Sequence, residues 1–268
     1  MEIQSKETVS REMEQILSEL DLSLEVDFDR IQNTPEIVYA ELSSSILEIQ
    51  CDGKYQISSE EIVEKGNALL KKENNIIEHN KRLDIVIGPP ASGKSSLLVD
   101  KIATRYHSRV IDNDDIKTTF PFYMNGIGAN CVHEASQMVA DFIYLRAMDH
   151  GDNIVLPKLG RRYEKLLSEY IDTAFHKGYT IYIHYVEASK AIATKRILRR
   201  YIDTGRYVPL QILINCYNGD HCTIEDSYNM IKKNPSVSGF SKWNTDNCDT
   251  LGQPELIENK GDIEIYAL

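Results

Sequence analysis

"RLDIVIGPPASGKSSLLVDKIA", residues 82–103, is a short apolar run that breaks into a loop of glycine, proline and small residues, then resumes at helical spacing. Gly88 to Ser95 fits the pattern G-x-x-x-x-G-K-[ST], with a hydrophobic strand before it and a helical pattern after it. Backbone N–H groups of such a loop, together with the N-terminus of the following helix, surround phosphate oxygens with donors. The motif makes Gly88, Pro89, Pro90, Ala91, Ser92, Gly93, Lys94, Ser95 and Ser96 the candidate ATP cradle. Lys94 would bridge the β- and γ-phosphates, and the Ser95 hydroxyl would hold Mg²⁺. A switch, a motor and a kinase all carry this loop, so the motif alone does not choose among them.

Outward from the loop, runs rich in Ile, Val and Tyr recur at 83–88, 109–114, 153–157, 180–187 and 263–268. Helical patterns lie between them at Gly93–Tyr106, Cys131–His150 and Arg161–His176. That alternation predicts a three-layer α/β fold, with helices on both faces of a mainly parallel five-stranded sheet. Before Arg82 the chain reads as three amphipathic helices, "KETVSREMEQILSEL", "TPEIVYAELSSSILEIQ" and "SSEEIVEKGNALLKKENNIIEHNKR", enough to close a small N-terminal bundle. Ser58 with Glu61 suggests a capping box on the third, although Ser59 is an equal candidate cap. The expected division is 1–80 helical and 81–268 α/β, without a Pro- or Gly-rich linker between them.

Composition removes several function classes. A length of 268 residues with 42% apolar content supports a sizeable core. No segment approaches the roughly 18 apolar residues of a membrane span, and the acidic start does not resemble a signal peptide, so a cytoplasmic protein away from membranes is expected. Five scattered cysteines argue for reduced surroundings, and Cys216, His221 and Cys222 match no zinc spacing. A net charge of −11 argues against wrapping nucleic acid. Residues 1–82 carry 9 basic against 18 acidic side chains and hold most of that charge.

Two downstream segments bring chemistry. "RVIDNDD" delivers Asp112 and Asp114 to the end of a predicted strand, where open α/β sheets place their ligands. A carboxylate there holds Mg²⁺ through water or accepts a proton from an attacking hydroxyl; a plain turn would also use Asp and Asn. Alternation along a strand reaching residue 114 would point both carboxylates the same way. "RILRRYIDTGRYVP" carries four arginines, including Arg200 and Arg206, which read either as a solvated basic face or as a lid compensating phosphate charge.

Taken together, "GPPASGKSSL", "VIDNDDIKTTFP", "NIVLPKLGR" and "LRRYIDTGRYVP" resemble the ordered motifs of the zeta toxin family over roughly residues 83–210. The resemblance implies a P-loop kinase-like fold and phosphorylation of UDP-N-acetylglucosamine by ATP, depleting a cell-wall precursor. It implies that Asp114 is the base for the sugar hydroxyl and that Arg200 and Arg206 stabilise the phosphates. Asp141 falls where the family has an acidic residue that contacts the sugar.

The sequence departs from the family at Pro157-Lys158-Leu159-Gly160-Arg161, where many members read E-G-T-G-R. Lys158 is then a surface lysine, or Lys158 or Arg161 meets the substrate diphosphate. His133, Glu134, Ser136 and Gln137 offer further polar contacts or ordinary helix-start capping. The departure leaves room for another nucleotide-type acceptor such as NAD, and a non-catalytic nucleotide-binding regulatory module is the rival from another class. Single-chain relatives of the EzeT type carry an antitoxin-like domain in front of the kinase. The acidic segment resembles that arrangement, implying an intramolecular inhibitory partner whose carboxylates shield a phosphate site. A bundle that only completes the kinase core is the plain alternative, and a dimer that hides the site is left open.

Overall fold

A computed structural model describes residues 9–21, 25–72, 76–217, 223–248 and 252–261. The described chain opens with helices α1 (Arg11–Glu19), α2 (Phe28–Gln32), α3 (Pro35–Gln50) and α4 (Ser59–Lys72), followed by strand β1 (Arg82–Ile87). Every residue of β1 is buried, as a central strand covered on both faces requires. It pairs in parallel with β3 (Ile154–Lys158) and β4 (Thr180–Glu187). The remaining strands are β2 (Arg109–Val110), β5 (Gly239–Asn244) and β6 (Glu255–Lys260). Their order across the sheet is β2-β3-β1-β4-β5-β6, parallel throughout except that β6 runs antiparallel to β5.

The mainly parallel α/β architecture agrees with the sequence reading, with three local differences. The strand expected at 109–114 ends at Val110, because Asp112 caps helix α6 (Asn113–Lys117) through Oδ1, which accepts from the Asp114 N–H at 2.8 Å. The fifth parallel strand is 239–244, whose sequence GFSKWN turns Gly239, Ser241 and Trp243 inward and so lacks an apolar stripe. The expected strand at 263–268 lies outside the described residues.

Helices cover both faces. After the phosphate loop the chain forms one π-type turn, Ser95–Val99, and then α5 (Asp100–Arg105). Leu98, Val99 and Ile102 pack there on Val86, Val155, Val186 and Trp243. The opposite face is covered by α7 (His133–His150) and by α8 (Tyr163–Lys165), which runs through a π segment, Leu166–Ile171, into α9 (Asp172–His176). Val139, Ile143, Leu166 and Ile171 meet Ile85, Leu156 and Ile183 in the main core. The later helices are α10 (Lys190–Thr204), α11 (Leu210–Tyr217) and α12 (Ile224–Ile231).

The N-terminal helices do not share one core. Ile62, Leu69 and Leu70 of α4 join the main core, and a Cβ on Gly66 would sit 2.3 Å from the Phe142 ring of α7. Met13, Ile16, Leu17, Ile31, Ile37 and Ala40 of α1–α3 instead share a second core with Ala191 and Leu198 of α10, Tyr207 and Leu210. Ser58 Oγ accepts from the Glu61 N–H at 3.2 Å, so Ser58 rather than Ser59 caps α4.

One face of the sheet buries a charged network that the apolar reading of "LDIVI" conceals. Asp84 accepts from Arg82 Nε at 2.7 Å, and His184 Nε2 lies 3.0 Å from its Oδ1. The Arg82 guanidinium stacks between Tyr106 and Tyr182 at 3.5 and 3.9 Å. His184 Nδ1 lies 2.7 Å from Ser241 Oγ, giving a Ser–His–Asp line. All three side chains are fully buried and Ser241 Oγ also accepts from Trp243 Nε1 at 2.7 Å, so this line clamps β1, β4 and β5 and offers no nucleophile to a substrate.

Candidate active site

The phosphate loop follows β1 as a tightly turned segment. Gly93 has φ +88°, and a Cβ there would lie 2.5 Å from Leu97; a Cβ on Gly88 would lie 2.3 Å from the Val186 carbonyl oxygen. Only glycine fits either place. Ser92 Oγ is buried without a hydrogen-bond partner, and Lys94 Nζ donates to the carbonyls of Gly88 and Pro89, both at 2.7 Å. Ser95 and Ser96 are exposed on the first turn of the helix. Loss of water pushes the Lys94 ammonium down to about 8, against the pull of Asp112 and Asp114. A cradle closed to side chains, an unsatisfied hydroxyl and an ammonium resting on loop carbonyls fit a phosphate group.

Asp112 and Asp114 reach this loop from the turn after β2, not from one face of a strand. Burial and the nearby Asp114 carboxylate push Asp112 up to about 6. Asp114 is held below the ordinary carboxylate range: burial raises it, but Lys117 Nζ at 3.0 Å and Arg206 Nη2 at 3.1 Å outweigh that cost. Arg200 lies near the end of α10, and Arg206 lies just beyond Gly205, whose φ of +71° ends that helix. Burial lowers the Arg200 pKa, Arg206 adds to the effect, and its Nε is buried without a partner.

Across the cleft, Asp141 of α7 accepts from Gln137 Nε2 at 2.6 Å and from Tyr170 OH at 3.4 Å. Asn113 Nδ2 donates to Gln137 Oε1 at 2.5 Å, tying Asp141 to the acidic turn, and Asn113 Oδ1 is buried without a partner. Lys158 ends β3 with its ammonium 4.7 Å from the centre of the Tyr170 ring. Burial brings it down to about 8, with Asp141 and Asp112 opposing. Arg161 has a buried, unpartnered Nε; with Lys94 it opposes the burial that pushes the Cys216 thiol up to about 11. His133 stands exposed at the start of α7. The candidates therefore converge on the C-terminal edge of β1–β3. Lys117 and Tyr170 were not foreseen: Lys117 was legible as the residue three places after Asp114 on a short helix, whereas Tyr170 is 29 residues from Asp141 and gave no local signal.

On the other side of the loop, a cavity of about 400 Å³ is lined by Pro89, Tyr185, Glu187, Tyr217, Asn244 and Asp246, among others. No three His, Cys, Asp or Glu side chains among the described residues converge to hold a metal ion on their own.

The sequence profile of the zeta toxin family matches residues 66–234, well over half of the chain. The chain belongs to the zeta toxin family. Its fold is similar to that solved for the PezAT chromosomal toxin–antitoxin system of the human pathogen Streptococcus pneumoniae. The two share 11% identity over 76% of this chain and 82% of that one, with a TM-score of 0.55. The AvrRxo1-ORF1:AvrRxo1-ORF2 structure with sulphate ions matches at 15% identity over 91% of this chain and 77% of that one, with a TM-score of 0.49. No curated protein matches the sequence. The likeness to the PezAT structure bears on the P-loop kinase-like fold and assigns no substrate.

Within this zeta toxin fold, the segment carrying Arg200 and Arg206 is held from outside by α1–α3. Tyr207 OH donates to Glu41, Tyr201 OH donates to the Glu36 carbonyl at 3.2 Å, and Lys195 pairs with Asp21. Among the described residues no N-terminal carboxylate forms an ion pair with Lys94, Arg161, Arg200 or Arg206; the polar contacts of the acidic segment here fall on Lys195, Tyr201 and Tyr207.

Proposed function

We propose that this protein is an ATP- and Mg²⁺-dependent small-molecule kinase that transfers the γ-phosphate of ATP to a sugar hydroxyl of UDP-N-acetylglucosamine, blocking cell-wall synthesis. The observation that carries the reading is the ion pair of Asp114 with Arg206 at 3.1 Å beside Lys94, three groups from distant parts of the sequence.

In this reading the phosphate loop and Lys94 hold the donor phosphates, and the nucleoside lies in the cavity beside Pro89. Ser95, with Asp112 through water, would hold Mg²⁺, which neutralises charge on the phosphates. Arg206 turns from Asp114 towards the transferred group, and Arg200 joins it. Asp114 then accepts the proton of the acceptor hydroxyl as its oxygen bonds to the γ-phosphorus and the bond from that phosphorus to the β-phosphate oxygen breaks. Asp141, Lys158, Arg161 and His133 hold the acceptor. Lys158 beside Asp141 also suits another diphosphate-bearing acceptor such as NAD, which keeps that second reading in play.

Residues 1–80 act in cis as the restraint on residues 81–268. The physical support is the grip of α1–α3 on α10 and Tyr207. The decisive experiment combines the full chain, and in parallel a chain beginning at Ser58 that lacks the grip of α1–α3, with ATP, Mg²⁺ and either UDP-N-acetylglucosamine or NAD, followed by mass measurement of the products. A mass gain of one phosphate on UDP-N-acetylglucosamine is expected; a gain on NAD alone removes the acceptor assignment. Asp114→Asn is expected to lower turnover by about 10²–10⁴-fold with ATP binding retained. Loss of neither would indicate a binding module instead.

A further inference from the structure

Helix α3 is apolar on two opposite faces. Ile37, Ala40 and Leu47 are buried on one of them. Roughly 180° around the helix, at about 100° per residue, lie Val38, Leu42, Ile46 and Ile49. These are 50%, 59%, 40% and 80% exposed, with Tyr39 on the flank and Ser45 between them. Spacings of four, four and three residues stack them on successive turns, an apolar ridge about 17 Å long at 1.5 Å per residue. Scattered exposed aliphatics need no explanation, but a contiguous stripe on a helix already anchored by its other face marks a contact surface.

Charge selects the occupant. The helix carries Glu36, Glu41 and Glu48 and no lysine or arginine. Their hydrogen bonds come from neutral donors: Ser10 to Glu36, Tyr207 to Glu41, and Asn130 Nδ2 to Glu48 at 2.9 Å. Among the described residues none of the three carboxylates forms an ion pair with this chain's own cations. Glu41 and Glu48 run along one flank of the ridge, while Glu36 lies towards the buried face; a second copy would double the uncompensated charge on that flank, whereas cationic side chains would neutralise it.

We propose that the outer face of α3 is the docking site for a partner protein's amphipathic helix, whose apolar stripe is bordered by lysine or arginine. Docking would act on the helix whose other contacts hold Tyr201 and Tyr207, so it is positioned to alter the restraint on the lid. The binding claim itself does not depend on the kinase reading.

The test titrates the full chain with a labelled synthetic peptide of leucine and lysine patterned as an amphipathic helix, and with a matched peptide of leucine and glutamate. Saturable binding of the lysine peptide is expected. It should weaken about tenfold or more in the triple variant Leu42→Ser, Ile46→Ser, Ile49→Ser, as when anchor side chains are removed. These positions are exposed, so the variant should keep the wild-type melting temperature. Equal binding to the variant, equal binding of the glutamate peptide or no saturable binding would overturn the proposal. A dimer seen by sedimentation and dissolved by the triple variant would assign the ridge to a second copy and overturn it too.

Discussion

Asp112 and Asp114 stand two residues apart and are pushed in opposite directions. Asp112 gains a backbone hydrogen bond and the weak pull of Lys94 but, among the described residues, no ion pair, so burial and the neighbouring carboxylate prevail and its pKa rises to about 6. Asp114 receives Lys117 and Arg206 and stays ionised. Two carboxylates with separated titration suit two roles, one beside a metal and phosphates, one as proton acceptor. With the folded pKa of Asp112 above the unfolded value, the folded state binds the extra proton between about pH 4 and 6, and stability falls as pH rises through that window. Asp112→Asn keeps the helix cap and removes the charge. It is expected to gain about 1 kcal/mol at pH 7, or roughly 2–4 °C in Tm, with the gain vanishing below about pH 4. Melting curves at pH 3.5 and pH 7 check this; a destabilised variant at pH 7 would contradict it.

At the scale of elements, the sheet is specified by more than apolar burial. The Arg82–Asp84–His184–Ser241 network crosses β1, β4 and β5, with Asp84 four residues before Gly88 of the phosphate loop. Buried charges of this kind add little net stability when complete but are costly to break, because the remaining partner is stranded. Asp84→Ala is expected to cost about 3–5 kcal/mol in urea unfolding, leaving Arg82 and His184 without their acceptor. A cost below about 1 kcal/mol would show that water or a shifted side chain replaces the carboxylate. The same network explains why β5 hid from a sequence reading: Ser241 and Gly239 occupy inward positions that a stripe of Val or Ile would normally mark.

For the whole molecule, the way the first 80 residues divide between two cores shapes any test of inhibition. α4 lies on α7, with Gly66 against Phe142, while α1–α3 lie on α10. A chain beginning at Arg82 lacks α4 and exposes part of the main core, so lower solubility and a lower Tm are expected. A chain beginning at Ser58 keeps α4 and removes the grip on the lid, together with Leu47, Cys51 and Tyr55 at the edge of the main core, so its melting temperature is to be measured beside its toxicity. When expressed in bacteria it is expected to be more toxic than the full chain; equal toxicity from two folded proteins would end the case for restraint in cis. The acidic segment's action, in this reading, is to fix a moving element and not to fill the phosphate loop.

Local pattern was enough for the sequence by itself to determine the phosphate loop, the parallel α/β alternation, the I-D-N-D acids and the arginines near 200 and 206. A tight glycine turn, a period change and a helix stop are short-range physics, readable within one turn or one strand. Only the tertiary structure decided that Arg206 pairs with Asp114, that Tyr170 reaches Asp141, and that α4 parts company with α1–α3. It also decided that α3 keeps one apolar face in solvent. Partners separated by 29 to 92 residues leave no periodic trace in either segment; the sheet order and helix packing bring them together.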